Sequence, residues 1–203
     1  MYEDEVAVPK AMSLGAERKP AGTLAVVPQR EFERNFDLFT EGSLRFLNWS
    51  NVFCAGGAVL AALSPIPEKY SKRNKERREY YHEKAYPASD VDLFIYGLDE
   101  AQAKEKLTEI YQAICDAVPY EVVAVRSKHA ITLVSQYPHR HIQVVLRLYK
   151  SPAEILMGFD VDCCSVGFDG KQVWLMPRQV LSSSCFSVVV FFLILFLFDI
   201  NSL

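Results

Sequence analysis

The chain has 203 residues, half of them hydrophobic and 23% charged, with a formal net charge of −3. That length holds one domain with a sizeable core and a little left over, and the composition is that of an ordinary globular protein. The slightly acidic balance excludes coating of nucleic acid by bulk electrostatics, so any such contact needs a local patch. Five cysteines, odd in number and without CxxC spacing, together with a polar, acidic opening stretch, lead us to expect a reducing, intracellular setting.

Residues 1–28 show little periodicity and several Pro and Gly, which predicts a mobile arm. Glu31 to Leu47 places Phe32, Phe36, Phe39, Leu44 and Leu47 near helical spacing with a break at Gly42, predicting two short helices, the second capped by Ser43. Asn51–Cys54 is a short apolar run ending in Gly56-Gly57, and Ala58–Leu63 reads as a helix stopped at Ser64-Pro65. A surface insertion, about 65–87, carries Lys69, Lys72, Arg73, Lys75, Arg77 and Arg78 among Tyr70, Tyr80 and Tyr81. Ser89–Tyr96 is a predicted strand, and Asp99 with Gln102 forms a capping box for a helix burying Ala103, Leu107, Ile110, Tyr111 and Ile114.

Three β-rich runs follow, Tyr120–Val125, Ala130–Ser135 and His141–Tyr149. Ser151-Pro152-Ala153-Glu154 supplies an N-cap, a first-turn proline and a capping acid for a helix ending at Gly158. Phe159–Val166 and Gln172–Leu175 then read as strands joined by a turn at Asp169-Gly170. Strands that alternate with helices and also follow one another predict an α/β (α+β) domain over residues 29–178, a mixed sheet with packed helices. Residues 179–203 change character: Val188 to Phe198 is unbroken Val, Phe, Leu and Ile. Three readings are open for this tail: a membrane anchor through 180–198, an apolar element of a truncated domain, or translated non-coding sequence. We expect the chain to be either a minimal unit or a fragment, with the fragment the favoured reading.

Asp90 and Asp92 lie two apart in an apolar strand, so alternation puts both carboxylates on one face. Adjacent anions raise each other's pKa unless a cation intervenes, and Mg²⁺ suits such a pair because it keeps sites for water and phosphate. Two solvated aspartates at a strand end are the plainer reading of the same pattern. Gly56-Gly57, between a strand and a helix, allows close backbone approach and turns amides toward an anion; an ordinary tight turn is again the plainer alternative. Neither a G-x-G-x-x-G nor a G-K-[ST] is present.

Strand, Gly-Gly, helix, then a strand bearing Asp-x-Asp resembles the polymerase-β-like nucleotidyltransferase superfamily, over roughly Phe46 to Arg178. The resemblance implies that Gly56 and Gly57 hold a nucleoside triphosphate, that Asp90 and Asp92 bind Mg²⁺, and that a nucleoside monophosphate passes to a hydroxyl acceptor. It also implies a third carboxylate on a neighbouring strand, and by order of elements that place falls at Ile142-Gln143-Val144, where Gln143 is no base. Asp160 and Asp162, read as sharing one strand face, are the other candidates for a catalytic role. Should neither reach the metal, the expectation becomes an inactive nucleotide-binding or protein-interaction module. The basic insertion is either a nucleic-acid or triphosphate contact or a solvated face. His129, His139 and His141 have no ligand spacing, and Cys163-Cys164 read as ordinary buried residues.

Overall fold

Phe32, Phe36 and Phe39 recur at helical spacing, and burying them together makes α1 (Gln29–Thr40) the first element of the computed structural model, which describes residues 26–161 and 164–176. Helix α1 ends where Glu41 and Gly42 both take positive φ, and no second helix follows. Ser43 therefore does not cap a helix as its position predicted; its hydroxyl pairs with His139 Nδ1 at 3.0 Å. A left-handed pair at Glu41-Gly42 reverses the chain more sharply than the periodicity of Leu44 and Leu47 could show.

Seven strands form one mixed sheet: β1 (Val52–Ala55), β2 (Val91–Tyr96), β3 (Val123–Arg126), β4 (Ala130–Val134), β5 (Ile142–Tyr149), β6 (Val166–Phe168) and β7 (Val173–Leu175). Their order is β3-β4-β5-β2-β1-β6-β7, and every neighbouring pair is antiparallel except the central β2–β5 pair. The expected mixed sheet with packed helices is thus what the chain forms. Alternation divides the strands between two cores. Val52, Cys54, Val91, Leu93, Ile142 and Val144 face α1, α2 (Gly57–Leu63) and α5 (Glu100–Ala117) in the larger one. Phe53, Ala55 and Phe94 face α6 (Pro152–Met157) in the smaller.

The capping residues act as their sequence positions predict. Asp99 accepts from the Gln102 amide at the start of α5, and Ser151 accepts from the Glu154 amide at the start of α6. Along α5 the buried face is Ala103, Lys106, Ile110, Ala113, Ile114 and Ala117; Tyr111 is exposed, contrary to expectation. The insertion is also less superficial than predicted. It folds into α3 (Glu68–Ser71), α4 (Asn74–Glu79) and a π-helical turn, Tyr80–Ala85, which drives Tyr81 into the main core. No described helix is long and apolar enough to cross a membrane; the 179–203 tail lies outside the described residues.

The strand expected over Phe159–Val166 is not formed at its start. Phe159, Asp160 and Val161 are irregular, and β6 begins only at Val166. Phe159 explains the difference: its ring packs on Phe94, 6.0 Å between centroids, and so ties this segment across the sheet face. In β6, Gly167 lies under the Phe53 ring, which leaves no room for a Cβ. Gly167→Ala is expected to lower stability by about 1–3 kcal/mol, as overpacking does. A thermal melt unchanged from the parent protein would show that Phe53 swings aside freely.

Candidate functional site

The two aspartates lie where the centre of the sheet begins. Asp90 precedes β2 and Asp92 is its second residue, on the face shared with Phe94 and Ala55. Parallel register sets Asp92 opposite Gln143 on β5, the strand position at which the sequence suggested a third carboxylate. Gln143 Nε2 donates to Asp90 Oδ2 at 2.7 Å, so the amide orients one carboxylate of the pair. His141, one residue before β5, brings Nδ1 to 3.9 Å from Asp90 Oδ1. Burial raises the Asp92 carboxyl to about 6, and the negative charge of Asp90 adds to the effect.

On the other side of Asp92 is the glycine turn. Gly56 has φ +86, and a Cβ there would stand 3.1 Å from the Phe159 ring and 3.9 Å from Asp92 Oδ2. Only glycine tolerates both that backbone angle and that approach. Its N–H donates to the Val166 carbonyl at 2.9 Å, which ties the turn to β6. Gly57 opens α2, with Ser89 Oγ 3.5 Å from where its Cβ would be. Gly56, Gly57, Ser89, Asp90 and Asp92 are therefore neighbours in space. Asp160 is exposed at a bend beside Phe159 and not in a strand, and Asp162 lies outside the described residues.

The donor set suits an ion of modest demands. Among the described residues no group of three or more His, Cys, Asp or Glu side chains could hold a metal. Two half-buried carboxylates, one of them reluctant to ionise alone, fit Mg²⁺, which keeps most of its waters and takes phosphate oxygens as further ligands.

Three residues that the sequence reading passed over support this corner. Arg140 is buried, and its guanidinium donates to four carbonyls: Phe39, Tyr81, Tyr86 and Ser89, at 2.7–3.0 Å. It also stacks over the Phe39 ring at 3.9 Å. Burial lowers its pKa to about 10, which leaves it a cation at neutral pH. Phe159 and His141 are the other two. An arginine beside a strand start has no sequence signature for such a role, and His141 has no ligand spacing in the sequence to single it out.

The basic insertion is partly spent on the fold. Arg77 donates to Asn35, Glu31 and the Ser71 carbonyl, and Arg78 pairs with Glu41 at 2.9 Å. Lys72, Arg73 and Lys75 remain exposed. His82 joins Glu41 at 2.9 Å, and hydrogen bonds from His82 and Arg78 hold the Glu41 carboxyl below its ordinary value despite the opposing effect of burial.

A sequence model of Gabija anti-defense 2 family proteins matches residues 29–184. The chain belongs to this family. It is also similar to an uncharacterized protein of Acanthamoeba polyphaga mimivirus, 27% identical over 148 residues, 64% of this chain and 28% of the relative. The chain thus spans less than a third of that relative's length. Membership of the Gabija anti-defense 2 family corrects the assignment to the polymerase-β-like nucleotidyltransferase superfamily, to which neither match points. That assignment rested on Gly56, Gly57, Asp90 and Asp92, two short patterns that strand–turn–helix connections and strand starts produce widely.

Proposed function

We propose that this Gabija anti-defense 2 family chain serves anti-defence by handling a nucleotide. It binds a nucleoside triphosphate through Mg²⁺ at Asp90 and Asp92 and passes the nucleoside monophosphate to a hydroxyl, that of a nucleic acid among the acceptors. The hydroxyl oxygen bonds the α-phosphorus, its proton is lost and pyrophosphate leaves. The role in anti-defence comes from the family's name. The observation that carries the nucleotide reading is the meeting of two carboxylates on one sheet face with the Gly56 turn. When bound, Mg²⁺ supplies charge neutralisation along the phosphates and polarisation of the phosphorus centre. Asp90 and Asp92 hold the ion, Gln143 fixes the rotamer of Asp90, and Gly56 gives the phosphates room to approach. Asp160, next to Phe159, is the described candidate to accept the proton of the attacking hydroxyl, and Asp162, the other candidate from the sequence, lies outside the described residues.

A second reading, binding without transfer, is favoured by one observation: the side chain facing Asp92 is an amide, which accepts no proton. Calorimetry of the full chain with ATP, with and without Mg²⁺, beside Asp90→Ala tests the part common to both readings. We expect Mg²⁺-dependent binding that weakens by at least about tenfold in the variant, the scale for losing a charged ligand. Absence of binding to a folded chain would overturn both readings. Binding with no label transferred to nucleic acid or small hydroxyl acceptors would leave the second.

A further inference from the structure

The strand registers align one residue per strand into a row that crosses the whole sheet on the site face. In spatial order it runs Val125, Thr132, Gln143, Asp92, Ala55, Gly167, Trp174. From Asp92 toward β7 the row is closed. The Phe53 ring lies across Gly167, Trp174 packs on Phe53, and α6 sits against β1 and β6, with its start also touching β5 on the other side of Asp92. Toward β3 it is open: Val125 is 53% exposed and its same-face neighbour Val123 is 50% exposed.

Resting on the nucleotide reading above, we propose that the open half of this row seats the sugar and base of the nucleotide whose phosphates lie at Asp90 and Asp92. Thr132 and Val125 then set affinity for the nucleoside. They stand two and three strand spacings from Asp92, roughly 10–14 Å, along a path on which Gln143 and Thr132 are half-buried and Val125 is exposed. The distance matches a ligand extended from its phosphates to its base. Gln143 and Thr132 offer an amide and a hydroxyl to the ribose, and the valine methyls offer an apolar face to the base. That face has no hydrogen-bonding code, so it distinguishes a nucleoside from none rather than one base from another.

The test compares ATP with inorganic tripolyphosphate by calorimetry on the full chain in saturating Mg²⁺, for the parent protein, Val125→Ser and Thr132→Val, with circular dichroism as the check of fold. We expect the parent to prefer ATP, and each variant to weaken ATP binding about fivefold to tenfold while tripolyphosphate binding stays level. Equal affinity of the parent for both ligands, or variants that weaken neither or both alike, overturns this inference and leaves the phosphate site standing. Binding of neither ligand by the parent overturns the nucleotide reading itself. A dimer separated by Val125→Asp without loss of ATP affinity would make β3 a contact between copies, and the proposal would fall.

Discussion

Arg140→Leu is expected to lower the stability of the chain by about 3–5 kcal/mol, a large share of the roughly 5–15 kcal/mol that holds a domain folded. Four buried or half-buried carbonyls, from the end of α1, the π-helical turn and the approach to β2, depend on one guanidinium. Removing it leaves acceptors that water reaches poorly, and each unsatisfied one costs about 1–3 kcal/mol. The urea midpoint followed by circular dichroism measures the loss. Arg140→Lys should recover only part of it, since an ammonium cannot fan its donors across four carbonyls as a planar fork does. A midpoint shift worth less than about 1 kcal/mol would mean that other donors serve those carbonyls.

Asp92→Asn should move stability the other way. The Asp92 carboxyl titrates near 6 in the folded chain against 3.8 when unperturbed, so between those values the folded state holds the extra proton. Stability of the metal-free chain therefore falls as pH rises from about 4 to about 6, and the deficit persists above that. A shift of this size corresponds to about 3 kcal/mol at neutral pH, and an amide that never ionises should recover about 1–3 kcal/mol of it. The gain should shrink toward zero below pH 4, where the parent carboxyl is protonated in both states. Mg²⁺ should stabilise the parent chain above pH 6 and leave the variant unchanged. Thermal melts at pH 4 and pH 7.5, with and without Mg²⁺, give all four comparisons. A variant less stable than the parent at pH 7.5 without the ion would remove the electrostatic strain from the account.

Local rules written in the side chains carried most of the fold. Asp99 and Ser151 announce their helices because a short polar side chain that bonds the N3 amide is legible from spacing alone. The alternation through Val91, Asp92, Leu93 and Phe94 gave both the strand and the shared face of the carboxylates. Counting elements then put Gln143 opposite the pair, which the register confirms. What escaped depended on distant partners. The absence of a helix after the predicted break at Gly42, where Ser43 turns to His139, the burial of Tyr81 and the irregular course of Phe159 each go with a contact to another element. Arg140 is the extreme case, because its partners lie between 51 and 101 residues away in sequence. The superfamily assignment went astray for a related reason: four residues in two local patterns do not specify a lineage.

The single parallel pairing at the centre of the sheet has a further consequence. Because β2 and β5 run the same way, the segments that lead into them arrive at the same end of the molecule, one bearing Ser89 and Asp90, the other Arg140 and His141. The rim of the candidate site is therefore built by two loops far apart in sequence rather than one hairpin, and Arg140 of one bonds the Tyr86 and Ser89 carbonyls of the other. Exposed positions of either loop, His141 among them, can change their side chains while the ladder beneath keeps its hydrogen bonds and Arg140 keeps the two loops together. Such a layout separates what must stay constant, Arg140 and the ladder, from the exposed rim positions that are free to vary.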